Sequence, residues 1–121
     1  ILLPYLCQQP VRMLVLSAKV GSITDNQLGG WYSYRAAKAA LNMLVKTTAI
    51  EIRRSQPATI LVAVHPGTTA TPLASPFVRN LPAGQLQTPA ATAHRLAKVV
   101  AALDPARHGC LLNWDGQPLP F

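Results

Sequence analysis

Two short runs, apolar at nearly every position, constrain the fold of this chain more than any other feature. Val11–Ser17 reads VRMLVLS and Thr59–His65 reads TILVAVH, both with β-branched residues. Unbroken apolarity over so few residues, without the alternation of a half-solvated strand, marks a strand covered on both faces, as in a parallel sheet. Between them, Tyr32–Ser55 is rich in Ala, Leu, Met and Lys, holds no Pro or Gly, and stops at Ser55-Gln56-Pro57. That composition and that stop predict one long helix.

The remaining segments extend the pattern. Ile1–Leu6 reads as the last turns of a helix ended by Gln8-Gln9-Pro10, and Ala18–Trp31 as a loop broken by Gly21, Asp25-Asn26 and Gly29-Gly30. Pro66-Gly67 closes the second apolar run, and Thr68–Leu86 is loop-like, with Pro72, Pro76, Pro82 and Gly84. Thr88 is placed to cap a helix with Pro89 at its first position, running to about Leu103 before Asp104-Pro105. Gly109–Trp114 (GCLLNW) reads as a last short strand. Strand, helix, strand, helix, strand argues a parallel α/β sheet with right-handed crossovers. Three strands make a small sheet, and the apolar start Ile1-Leu2-Leu3 reads as a segment entered midway, so neighbouring strands are expected beyond these residues.

Composition excludes several classes. Hydrophobic residues make up 50% of the chain and charged residues 12%, which is not the profile of disorder. The net charge of +7 invites a nucleic-acid partner, but the basic residues are scattered and only Arg53-Arg54 are adjacent. A solvated basic surface is the better reading. No stretch approaches the roughly 18 apolar residues of a membrane span, so no membrane partner is expected. Cys7 and Cys110 lack zinc or redox spacing and fit a reducing compartment, the cytoplasm. His65 closes a buried run and reads as a packed residue, His94 faces out of a helix, and with His108 they form no metal ligand set.

The strongest chemical signal is Tyr34-Arg35-Ala36-Ala37-Lys38 at the start of the long helix. Residues four apart share a helical face, so a phenol and an ammonium can point into one cleft. A nearby cation favours phenolate, which makes a phenol usable as a general acid or base near neutral pH. The motif follows a Gly-rich loop after a buried strand, and ligands of open α/β sheets bind at the carboxyl ends of strands.

This order of strand, Ser-containing loop, Y-x-x-x-K helix, strand and Pro-Gly resembles the short-chain dehydrogenase/reductase family. The resemblance runs from Val11 to Trp114, and its most specific parts are YSYRAAKAALN and HPGTTATPL. Residues 16–47 look most like the carbonyl-reductase and C-factor-like branch. The resemblance implies an α/β fold, the C-terminal part of a Rossmann-type doubly wound parallel sheet with the N-terminal half absent. Residues 1–121 would then be one partial, catalytic-half NAD(P)-binding domain. It implies hydride transfer between NAD or NADP and a small-molecule carbonyl or alcohol, and leaves homo-oligomerisation open. Tyr34 matches the family's acid/base, and Lys38 the lysine that tunes it and holds the nicotinamide ribose. Pro66, Gly67 and Thr71 match the family's P-G-x-x-x-T, which meets the nicotinamide carboxamide. Tyr32 lies off the Lys38 face and is rejected as the acid. Thr68–Leu86 would cover the substrate, and its Leu73, Phe77 and Leu81 suit either an apolar substrate surface or a lid packed on its own domain.

The chain departs from the family at the serine. Where members carry Ser-Ser at the strand end, this chain has Ser17-Ala18, so Ala18 falls where the carbonyl-polarising serine is expected. Ser22, twelve residues before Tyr34, is close to the usual separation and is assigned the role, with Ser17 as fallback. No Gly-rich phosphate fingerprint is present, Gly29-Gly30 has no strand–turn–helix cradle around it, and the family's active-site asparagine before Val11 is not evident. The alternative to an oxidoreductase is a non-catalytic truncated, signalling or scaffold protein on the same fold.

Overall fold

The computed structural model describes residues 9–78, 81–82 and 84–121. The expected helical turns over Ile1–Leu6, and Cys7, lie outside the described residues. Strand β1 spans Arg12–Leu16, helix α1 Tyr32–Ser55, β2 Ile60–Val64 and β3 Thr68–Thr69. Then follow β4 at Leu86–Gln87, α2 at Pro89–Ala102, β5 at Leu111–Leu112 and β6 at Pro118–Leu119. The main sheet has the order β1-β2-β5-β6, with β1, β2 and β5 parallel and β6 antiparallel to β5. This is the expected mixed α/β, partial Rossmann-like fold.

Every residue of β2 is buried, because it is central and helices cover both faces. Successive side chains of a strand point to opposite faces. Leu61 and Ala63 therefore join Val45, Ala49 and Ile52 of α1, while Ile60, Val62 and Val64 join Val99 and Leu103 at the α2 side. Leu111 and Leu112 of β5 divide the same way. Continuous apolarity in the sequence is thus the imprint of a three-layer sandwich.

Several expectations are corrected. The run Val11–Ser17 is not buried on both faces. Arg12 and Leu16 are exposed and the middle of β1 is half-buried, because β1 pairs only with β2 among the described residues. The last strand shrinks from Gly109–Trp114 to two residues, since the chain turns at Asp115-Gly116 and returns as β6. Gly116 supplies the φ of 83° that this turn requires. Thr68–Leu86 is not all loop: β3 pairs parallel with β4, and Pro72–Phe77 forms a 3-10 turn. Helix α1 has the expected bounds, and Arg53 and Arg54 in its last turn suit the negative end of the helix dipole. Thr88 caps α2 by accepting a hydrogen bond from the Ala91 amide at 3.1 Å, as expected, and α2 ends at Ala102.

His108 is a structural bridge. Its Nδ1 accepts from the Leu61 amide at 3.1 Å, which requires the Nε2-protonated tautomer in a neutral ring, and Nε2 donates to the Ala49 carbonyl at 2.7 Å. The imidazole thus ties β2 to α1 beneath the sheet.

Candidate active site

The site is organised by the carboxyl ends of β1 and β2. Leu16 pairs with Val64 in register, so the loops beginning at Ser17 and His65 leave the same edge side by side. Helix α1 starts over that edge. The ring of Tyr34 lies 5.9 Å from Lys38 Nζ, measured to the ring centroid, and the two occupy one face of the first turns. Lys38 Nζ also donates to the Leu16 carbonyl at 3.2 Å, which anchors the ammonium to the end of β1. Tyr32, by contrast, is 87% exposed, in agreement with its place off the Lys38 face.

The serine-bearing loop packs directly on this helix. A 3-10 turn at Lys19–Gly21 brings the Gly21 backbone so close to Lys38 that a Cβ on Gly21 would stand 2.7 Å from the Lys38 carbonyl carbon. Only glycine permits that approach. Ser22 follows at once and is 2% exposed, with its Oγ accepting from the Asp25 amide at 3.0 Å. As an acceptor in that bond, the Ser22 hydroxyl keeps its proton. Ser17 is also buried, and its hydroxyl donates to Asn42 Oδ1 at 2.5 Å. The single proton of Ser17 is therefore spent inside the fold. Ala18 is buried beside it. Asn42, one turn beyond Lys38 on α1, is 2% exposed and its Nδ2 has no partner among the described residues.

Pro66 and Gly67 follow β2, and Gly67 takes a φ of 80°, a conformation other residues rarely adopt. A Cβ built there would meet Trp114 Cδ1 at 3.4 Å, so the turn after β5 stands against this loop. The Arg95 guanidinium covers the Trp114 ring at 4.6 Å. Thr71 lies further out, with its hydroxyl donating to the Thr69 carbonyl at 3.4 Å, a long bond. Thr69 in turn shares a 3.0 Å hydrogen bond with Thr92 of α2. His65 is half-buried rather than a fully packed residue, and its Nδ1 has no partner among the described residues. Burial, with the Lys19 ammonium adding to it, holds its imidazole below the ordinary histidine range. Leu73 is exposed and Leu81 half-buried, while the side chain of Phe77 lies outside what is described.

Two open clefts lie elsewhere. One is lined by Lys46, Arg53, Arg54 and His108, the other by Arg95, Lys98, Arg107 and Trp114. Neither includes Ser22, Tyr34, Lys38 or Thr71. Among the described residues no group of His, Cys, Asp or Glu could hold a metal ion, and no helix is long and apolar enough to cross a membrane.

No family model matches the sequence. C-signal of Myxococcus xanthus is 31% identical over 121 residues, which cover 99% of this chain and 68% of that protein. The chain belongs to the short-chain dehydrogenase/reductase family. A second relative of this short-chain dehydrogenase/reductase is the 1-hydroxy-2-glutathionyl-2-methyl-3-butene dehydrogenase of Rhodococcus sp. (strain AD45). It is 32% identical over 92% of this chain and 47% of its own length. The NADPH-bound carbonyl reductase from chicken fatty liver superposes with a TM-score of 0.73 at 31% identity, over 89% of this chain and 42% of that one. The chain thus spans two thirds of C-signal and under half of the other two. Sequence reasoning missed Arg35, Asn42 and Trp114 at this site. The Asp115-Gly116 pair signals the turn beside Trp114, whereas nothing in the sequence marks the backbone carbonyls that Arg35 gathers.

Proposed function

We propose that this chain is the catalytic part of an NAD(P)-dependent oxidoreductase that interconverts a carbonyl and an alcohol. The observation that carries the reading is the Tyr34–Lys38 pair, held at the carboxyl ends of two parallel strands with Lys38 anchored on the Leu16 carbonyl. Lys38 Nζ carries three N–H groups and uses one on Leu16, which leaves two directed donors for ribose hydroxyls. The Pro66–Thr71 loop leaves the end of β2 beside the end of β1, with backbone groups and the Thr71 hydroxyl that suit a carboxamide. The residues present fit the nicotinamide end of such a cofactor. When bound, it supplies or accepts the hydride.

The chain's own residues do the rest. Tyr34 exchanges a proton with the substrate oxygen, and Lys38 holds the ribose and keeps a positive charge beside the phenol. Ser22 donates a hydrogen bond to the substrate oxygen and keeps its proton, since Ser17 is committed to Asn42. Pro66, Gly67 and Thr71 orient the carboxamide. The test is NAD(P)H oxidation by the full-length protein against a panel of ketones and aldehydes. Turnover that Tyr34→Phe abolishes supports the assignment, and no turnover with any carbonyl would sink it.

One observation favours a second, non-catalytic reading: an alanine is buried where the family carries its polarising serine. The similarity to a protein named C-signal points the same way. A protein that binds cofactor but turns over no carbonyl, even as Ala18→Ser, would support it.

A further inference from the structure

Arg35 stands between Tyr34 and Lys38, is half-buried, and forms no ion pair with an acid among the described residues. Its Nε donates to the carbonyls of Gly29 at 3.2 Å and Gly30 at 3.0 Å, one Nη to Gly29 at 3.0 Å, and the other Nη to Val20 at 3.1 Å. The guanidinium also lies 5.6 Å from the centre of the Trp31 ring. Val20 immediately precedes Gly21 and Ser22, and Gly29-Gly30 immediately precedes the helix. One side chain therefore closes both ends of the loop that carries Ser22. The path it closes runs through three residues with positive φ, Gly29 at 64°, Gly30 at 69° and Trp31 at 49°; the glycines adopt it freely, and the cost falls on Trp31. A cation in the first turn of a helix also opposes the helix dipole. Three converging carbonyls and an aromatic face account for its being there.

We infer that Arg35 is a positioning residue: its forked guanidinium fixes the Ser22 loop against the first turns of α1, and so sets Ser22 relative to Tyr34 and Lys38. This deepens the proposed reaction and rests on it. A planar fork is required because Val20 and Gly29-Gly30 are approached from different edges of one group. A lysine, with one point of charge, cannot span them.

The full-length protein serves as the test, with Arg35→Lys and Arg35→Ala, assayed well below the melting temperature of each. Amide exchange should rise by an order of magnitude or more within residues 21–31 in both variants, and stay unchanged in β2. The kcat for carbonyl reduction should fall at least tenfold in both, with KM for the cofactor unaltered, because the Pro66–Thr71 loop is untouched. Millimolar methylguanidinium should restore kcat to Arg35→Ala, and methylammonium at the same concentration should not. Wild-type kcat in Arg35→Lys, unchanged exchange in residues 21–31, or equal rescue by either cation overturns the inference. If the wild type turns over no carbonyl, the proposed reaction fails first. The positioning role fails with it, even where the exchange data show the loop clamped.

Discussion

At the residue scale the contrast between two tyrosines tests the assignment most directly. Tyr34 shares the Lys38 face and Tyr32 does not. In the full-length protein, Tyr34→Phe keeps the ring and its packing but removes the proton, so kcat should fall by at least about a hundredfold, the lower range for general acid–base catalysis. Tyr32→Phe should change it little. The reverse result would undo the helical-face argument. Ser22→Ala should cost about 2.7–4 kcal/mol of transition-state stabilisation, read from kcat/KM, whereas Ser17→Ala should act mainly on stability by orphaning Asn42. His65 gives a separate handle. Its folded-state affinity for protons is depressed by burial and by Lys19. Above about pH 6.5 both folded and unfolded forms are neutral and nothing is lost. As the pH falls below that, only the unfolded chain binds the proton, and stability drops by up to about 1.4 kcal/mol per unit until the folded value is reached. Melting temperatures near pH 7 and pH 5 should differ less in His65→Asn than in the wild type, and an equal drop would count against this source.

At the scale of elements, the close approach of the Lys19–Gly21 turn to α1 makes Gly21 the most sensitive glycine. Gly21→Ala would set a methyl 2.7 Å from Lys38 backbone, and the backbone must shift, at about 1–3 kcal/mol as an overpacking cost. Denaturant unfolding should show that loss. Ala at the open position Gly84, where no atom lies within 4 Å, should lose only what its φ of 85° imposes. Such contacts were not legible in the sequence, yet the elements themselves largely were. Helix α1 was readable because Pro57 and the absence of internal Pro or Gly bound it on physical grounds. Strand β2 was readable because both faces are covered, and continuous apolarity records that. Strand β1 has the same apolar look but half the burial, since periodicity cannot say how many neighbours a strand has. The Tyr34–Lys38 pair was legible from helical spacing alone. The hydrogen bonds of the two serines, from Ser17 to Asn42 Oδ1 and from the Asp25 amide to Ser22, were not, because spacing in the sequence does not say which hydroxyl meets which partner.

At the scale of the whole molecule, the question is how much of a cofactor site these 121 residues supply. The nicotinamide end has candidates in Lys38, Pro66, Gly67 and Thr71. The diphosphate end has none, because no Gly-rich turn between a strand and a helix occurs in the sequence, and that turn is the main anion site of dinucleotide-binding folds. The two described helix starts do not replace it. The first turn of α1 already holds the Arg35 cation among loop carbonyls, and α2 begins with Pro89, which has no amide hydrogen to offer. Two ribose hydrogen bonds and a carboxamide contact are a small fraction of the roughly 8 kcal/mol that micromolar affinity needs, so a Kd on the order of a millimolar is expected. Titration of the 121-residue chain with NADH and with NADPH, followed by nicotinamide fluorescence, measures it. Binding should be weak for both and should differ little between them, since the extra phosphate of NADPH lies far from the nicotinamide. Lys38→Met should weaken it further. Micromolar binding to the chain alone would mean that a phosphate site exists among these residues that their glycine pattern does not reveal. A strong preference for NADPH would place that site on the basic surface, with Arg53-Arg54 and Arg95-Lys98 the first residues to replace.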